Sequence, residues 1–258
     1  MIEVSQLLAG KKGVVLGIAN EHSLAYGCAH AFHALGAELA ISYLNEKAKP
    51  YVEPLARELG APIFLPCDVQ KPGELEAMFD AVRQTWGRLD FALHAIAFAP
   101  KADLQGRLAD SSRDGFLVAM DVSCHSFIRM AHLAEPLMTN GGALFTMSYY
   151  GGEKVIEHYN LMGPVKAALE SAVRYLAYEL GPRGIRVHAI SPGPIKTRAA
   201  SGIDHFDELL DRAAARAPAH RLVSLQDVGA ATAVLATDYA KLITGEIVYV
   251  DGGYHILG

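Results

Sequence analysis

The sequence predicts a doubly wound α/β fold: one parallel sheet of seven strands with helices on both faces. Two observations carry this prediction. Short runs rich in Val, Ile and Phe recur over residues 13–18, 37–43, 62–66, 91–97, 143–148, 185–191 and 246–250, separated by longer stretches with helical spacing of apolar residues. Strands that alternate with helices join in parallel, because a parallel connection needs a crossover. Within the runs the apolar residues are continuous rather than alternating, which requires burial on both faces. No Ser/Pro-rich linker or charge run divides the chain, so the expectation is a single domain over residues 1–258.

The helices fit the same plan. Ser23 can cap a helix that runs to Leu35, and Pro72 sits where a first turn tolerates it ahead of a helix over 74–86. Ala and Leu at helical spacing over 167–180 and 228–235 read as packing stripes. The segment 192–219 differs: Pro192-Gly193-Pro194 ends a strand, and a charged, helix-like stretch over 204–216 follows without a further strand. It predicts an insertion at the carboxyl edge of the sheet, where open α/β sheets bind ligands, and hence a substrate lid.

Composition narrows the class. A chain of 258 residues can bury about 70% of its surface, and 51% apolar with 20% charged residues excludes wholesale disorder. Lys and Arg total 23 against 28 Asp and Glu, a net charge of −5, which argues against an electrostatic nucleic-acid binder. The apolar runs are too short to span a bilayer, and the start Met1-Ile2-Glu3-Val4 lacks a basic region and an apolar run. No membrane association is expected. Cys28, Cys67 and Cys124 are scattered, as suits a reducing cytoplasm, and neither H-E-x-x-H nor another metal spacing occurs, so no metal is expected.

Four segments could carry chemistry. The first strand runs into Gly17-Ile18-Ala19-Asn20-Glu21-His22-Ser23-Leu24-Ala25-Tyr26-Gly27, where a glycine turn and a helix N-terminus could face a pyrophosphate, or could be an ordinary strand–helix turn. Cys67-Asp68-Val69 ends the third strand; its carboxylate could accept from an adenine amino group or cap a turn. Ala95-Ile96-Ala97-Phe98-Ala99-Pro100 ends the fourth with small residues, suited to a ribose and nicotinamide or to tight packing. After the fifth strand come Tyr149, Tyr159 and Lys166. The last two are seven apart, so on one helix both would project to one face, where an ammonium strengthens a phenol's hydrogen bonding and can hold ribose hydroxyls. No G-x-S-x-G nucleophile elbow is present.

Taken in order, these segments resemble the bacterial NADH-dependent enoyl-acyl-carrier-protein reductases, a divergent branch of the Rossmann-type short-chain dehydrogenases/reductases. The resemblance covers nearly the whole chain. It includes Met147-Ser148-Tyr149, Tyr159-Asn160-x-Met162-Gly163-x-x-Lys166, Gly193-Pro194-Ile195-x-Thr197-x-Ala199-Ala200-Ser201-Gly202-Ile203 and Val250-Asp251-Gly252-Gly253. The Tyr-x₆-Lys spacing separates this branch from the Tyr-x₃-Lys carbonyl reductases.

The resemblance implies NADH-dependent reduction of trans-2-enoyl chains on acyl carrier protein in fatty-acid biosynthesis by a cytoplasmic homotetramer. Helices such as that over 167–180 would supply the interfaces. It implies that Tyr159 hydrogen-bonds the thioester carbonyl, Lys166 holds the nicotinamide ribose and Tyr149 lines the substrate pocket. Gly17, Ser23, Leu24, Leu44, Asp68, Val69, Ile96, Lys166, Pro194, Ile195 and Thr197 would meet the cofactor. Ala97, Phe98, Ala99, Tyr149, Tyr159, Ala199 and Ile203 would meet the substrate. The chain departs from the pattern at Leu44, where some members carry glutamine, at Ala97, where glycine is frequent, at His188, where asparagine is common, and at Pro192, which precedes the Gly-Pro-Ile run. Pro164 requires that the helix carrying Lys166 begin late enough to hold it in the first turn. Lys196, Arg198, Arg212, Arg216 and Arg221 form either a carrier-docking patch or a solvated charged face. The alternatives are a related short-chain reductase acting on another enoyl or carbonyl substrate, and a catalytically silent dinucleotide-binding protein.

Overall fold

The computed structural model describes residues 6–195, 197 and 206–257. In chain order the elements are β1 (Lys12–Leu16), α1 (Leu24–Ala34), β2 (Glu38–Tyr43), α2 (Lys49–Glu58), β3 (Ile63–Pro66), α3 (Glu74–Trp86) and β4 (Phe91–His94). There follow the single turn α4 (Lys101–Leu104), α5 (Arg113–Met120), α6 (Ser126–Ala134), β5 (Gly142–Met147), α7 (Met162–Leu180), β6 (Ile185–Pro192), α8 (Phe206–Arg216), α9 (Leu225–Ala236) and β7 (Ile247–Val250). All seven strands pair in parallel in the order β3-β2-β1-β4-β5-β6-β7. The order reverses between β1 and β4, which creates a crevice beyond their carboxyl ends.

Each predicted strand is present, and the deviations have local causes. The runs over 13–18 and 91–97 overshoot because β1 turns away at Gly17, with φ +102°, and β4 leaves the sheet after the Ala95 amide bonds the Leu16 carbonyl at 3.0 Å. β7 is half-buried along its whole length rather than buried on both faces, since it is an edge strand with β6 as its one neighbour. Pro72 lies outside α3, whose N-cap is Gly73 at φ +89°; the Gly73 amide donates to Glu76 at 3.1 Å.

Two apolar layers sandwich the sheet. On one face α3, α6 and α7 contribute Leu75, Met78, Phe79, Phe127, Met130, Leu169 and Val173. On the other, α1, α2 and α9 contribute Cys28, Phe32, Val52, Ala56, Val228 and Ala233. Burying each large side chain contributes about 1.5–3 kcal/mol. The α1–α9 contact depends on glycine, because a Cβ on Gly229 would lie 2.3 Å from the Gly27 carbonyl oxygen. Gly27 therefore serves helix packing, although it stands in the loop read for phosphate contact. Arg186 is buried and donates to the carbonyls of Leu235 and Ala240, satisfying acceptors around the end of α9. Among the described residues no helix is long and apolar enough to cross a membrane.

Candidate active site

Gly17 opens the crevice. Its left-handed backbone suits glycine, and a Cβ there would meet the Ala95 carbonyl oxygen at 2.3 Å. The residue thus sets how closely the ends of β1 and β4 approach. Ser23 stands at the N-cap of α1 as expected, yet its hydroxyl does not cap the helix. It accepts from the Ala19 and Asn20 amides, both at 3.0 Å, folding the loop back on itself. The first turn at Leu24 therefore has no side-chain cap, leaving its positive dipole end for an anion.

Leu44, 51% exposed, follows β2. Beside it Glu46 accepts from the Tyr43 hydroxyl at 3.1 Å and pairs with Lys49 at 3.8 Å. Asp68 does cap a turn, accepting from the Gln70 amide at 3.1 Å, and its own amide donates to Glu74 at 2.7 Å. Val69 is buried, and its carbonyl accepts from Arg129 of α6 at 2.9 Å while the same guanidinium bonds Glu76 at 3.0 Å. Glu74 and Arg129 fix this loop. Neither stood out in the sequence, because each looks like an ordinary helix-surface charge.

Beyond β4, Ile96 packs half-buried while Ala97 and Phe98 are exposed. Ala99 is buried with Tyr159, Leu161, Met162 and Val165 in a small apolar cluster. A π-helical turn, Asp121–His125, joins α5 to α6 and brings in Ser123. The Ser123 hydroxyl accepts from the Phe98 amide at 3.0 Å and donates to its carbonyl at 3.2 Å, pinning that loop. His94, fully buried, reaches Ser126 at 2.7 Å through Nε2, and burial pushes its pKa down to about 3.

The structure brings Tyr149, Tyr159 and Lys166 to this crevice by a different route from the one-face helix. α7 begins at Met162, so Tyr159 lies in the preceding turn, between His158 at φ +65° and Asn160 at φ +41°. Pro164 occupies the first turn, where its missing N–H costs no helical bond. The ring of Tyr159 meets that of Tyr149 edge-on, with centroids 4.9 Å apart. A Cβ on Gly151 would lie 2.4 Å from the Tyr159 ring, so the ring is seated on bare backbone. Neither phenol hydroxyl has a hydrogen-bond partner among the described residues. Burial raises both phenol pKa values, holding the groups as neutral donors rather than phenolates. Lys166 is 5% exposed and donates from Nζ to the Met147 carbonyl at 2.6 Å; burial pulls its ammonium down to about 8.

The enclosing segment is described in part. Pro194 is buried, Ile195 and Thr197 half-buried; Lys196, Arg198, Ala199 and Ile203 lie outside the described residues. α8 buries Leu210 and Ala213, and Arg212 pairs with Glu157 at 3.0 Å, two residues before Tyr159.

The sequence model of a family described as "Enoyl-(Acyl carrier protein) reductase" matches residues 17–255. This chain belongs to that family. Enoyl-[acyl-carrier-protein] reductase [NADH] 1 of Rhizobium meliloti (strain 1021) is 48% identical over 258 residues, covering 100% of this chain and 95% of that protein. The corresponding NADH enzyme of Aquifex aeolicus (strain VF5) is 44% identical over 253 residues, covering 98% and 94%. Among solved structures, the Anaplasma phagocytophilum enoyl-(acyl-carrier-protein) reductase in complex with NAD superposes with a TM-score of 0.95 at 49% identity, covering 100% of this chain and 98% of that one. The Bacillus cereus enoyl-acyl carrier protein reductase, solved with NADP+ and indole naphthyridinone, gives 0.95 at 44% identity, covering 98% and 99%. The seven-stranded Rossmann-type arrangement expected from the sequence is therefore that of the enoyl reductase family.

Proposed function

We propose that this chain reduces the 2,3 double bond of trans-2-enoyl thioesters carried on acyl carrier protein, using NADH, in fatty-acid biosynthesis. The observation that carries this reading is the pair of neutral phenols with free hydroxyls beyond the carboxyl ends of β4 and β5, beside a buried lysine. The residues fit a dinucleotide: the first turn of α1 is uncapped by side chains, and Lys166 presents a charged donor at the end of β5. Leu44, Asp68, Val69, Ile96, Pro194, Ile195 and Thr197 would complete that cradle. Ala97, Phe98, Ala99, Ala199 and Ile203 would border the acyl chain.

When bound, the reduced nicotinamide supplies hydride to the β-carbon. Tyr159 donates to the thioester carbonyl oxygen, where negative charge grows, and so favours the enolate over the ground state, and a proton from solvent then reaches the α-carbon to give the saturated thioester. Tyr149 borders the substrate, and Lys166 orients the ribose. Following NADH oxidation with crotonyl and dodecenoyl thioesters against a panel of ketones tests the reading. Turnover of the enoyl thioesters alone is expected; turnover of ketones alone overturns it.

The end of β2 supports NADH over NADPH. A 2′-phosphate requires a cation there, whereas Glu46 would repel it and already engages Lys49. The kcat/KM with NADH should exceed that with NADPH by about tenfold or more, an effect of about 1.4 kcal/mol; equal values would refute the assignment.

Carrier docking is proposed for Lys196 and Arg198. Of the other basic residues, Arg212 pairs with Glu157 at 3.0 Å and Arg221 with Asp227 at 3.0 Å, so these two are less suited to an outside anion. Lys196→Glu combined with Arg198→Glu should raise KM for carrier-bound substrate about tenfold in low salt, with little effect on a small uncharged thioester. Equal losses on both substrates would point to the lid segment instead. Assembly as a cytoplasmic homotetramer is consistent with the exposed Tyr175 and Tyr178 on α7, 69% and 84% accessible in one chain.

A further inference from the structure

The end of β5 and the helix α7 are joined by two buried polar links, one turn apart. Lys166 Nζ bonds the Met147 carbonyl at 2.6 Å, and the Glu170 carboxylate accepts from the adjacent Ser148 hydroxyl at 2.5 Å. Lys166 and Glu170 are 5% and 6% exposed. Removing an ammonium and a carboxylate from water costs several kcal/mol each unless each is compensated. A packing stripe would carry leucine or alanine at both positions. Gly152 leaves room for the acid, since a Cβ there would come within 3.0 Å of Glu170 Oε1.

We propose that Glu170 is a positioning residue for the reaction: its buried carboxylate keeps Lys166 charged and, through Ser148, holds the strand end that carries Tyr149 against α7. The proposal rests on the reading of Lys166 as the ribose-holding group.

The surroundings identify Glu170 as the counter-charge. Around Lys166, burial disfavours the ammonium and Glu170 opposes that effect, followed by the Cys124 thiol from the π-helical turn. His94 of β4 also faces this lysine, but burial keeps it neutral. Around Glu170, burial raises the carboxyl pKa, while the Ser148 hydrogen bond, Arg174 and Lys166 lower it and Glu153 raises it. Tyr159 and Tyr249 also sense the carboxylate. Glu170 stands four residues from Lys166 on the same buried face of α7, so its negative charge opposes the effect of burial on the ammonium.

The test uses the full chain as wild type, Glu170→Gln and Glu170→Asp. Competitive acetylation of Lys166, read by mass spectrometry from neutral to alkaline pH, gives its titration midpoint, and fluorescence gives the NADH Kd over the same range. Glutamine keeps the size and the acceptor for Ser148 but removes the charge, so the midpoint should fall by about one pH unit. NADH binding should then weaken at correspondingly lower pH. Aspartate keeps the charge and should restore a midpoint close to wild type. An unmoved midpoint in folded Glu170→Gln overturns the proposal, as does an equal fall in Glu170→Asp, which would trace the effect to lost packing. If the midpoint moves and the NADH Kd does not follow it, the positioning role stands and the ribose reading fails. Ser148→Ala tests the second link separately: kcat should fall about tenfold with the midpoint retained, and a wild-type kcat would remove Ser148 from the proposal.

Discussion

Tyr159→Phe is expected to lower kcat roughly 10²-fold while leaving NADH affinity nearly unchanged, the scale for losing one donor to a developing oxyanion. The substitution is clean because the ring is held by shape rather than by its hydroxyl. Tyr149 packs edge-on against it, Gly151 lies beneath it, and Ala99, Leu161 and Val165 surround it. Phenylalanine keeps all of these contacts, so the loss measures the hydroxyl. Burial raises the phenol pKa, so the wild-type group remains a neutral donor through neutral pH, and its own ionisation should not shape the activity profile there. Stopped-flow kinetics with an enoyl thioester, alongside NADH titration, checks both halves. A fully active Tyr159→Phe with an inactive Tyr149→Phe would exchange the two proposed roles.

The parts of this site that the sequence makes legible are those governed by regular periods. Continuous apolar runs locate all seven strands, and the segments singled out after them lie beyond the carboxyl ends of those strands. Reading fails where one residue breaks the period. A π-helical turn, Asp121–His125, has no repeat of its own, so no sequence period marks Ser123 or its grip on Phe98. Tyr159 and Lys166, spaced for one helix face, are instead joined by a turn with two non-glycine residues at positive φ. Pro164 was the available signal, since it restricts where that helix can begin. Ser23 has the composition of a helix cap, but Ala19 and Asn20 compete successfully for its hydroxyl. Glu170 could have been found by asking why a carboxylate stands four residues from Lys166 on the stripe that faces the core.

Lys166→Ala should raise the NADH Kd about 10- to 100-fold, the loss expected for charged hydrogen bonds worth about 1.5–3 kcal/mol to ribose hydroxyls. NADPH binding should weaken by the same factor, because the nicotinamide ribose is common to both nucleotides and the distinguishing phosphate lies at the far end. The alanine variant carries a second effect: it leaves the Met147 carbonyl without its partner and removes the cation that faces Glu170. Glu170 keeps Ser148 and Arg174 when Lys166 is lost, so the destabilisation should stay below the about 3–5 kcal/mol of a fully uncompensated buried charge. Lys166→Met separates the two effects, since it fills the space without supplying a donor, and Lys166→Met with Glu170→Gln removes the under-compensated charge as well. All three variants should show the same loss of nucleotide affinity, whereas melting temperature should recover along the series from alanine to the double variant. Recovery of NADH affinity along that same series would mean that Lys166 supports the site through stability alone. A graded melting temperature with constant weak binding would place its ammonium on the cofactor.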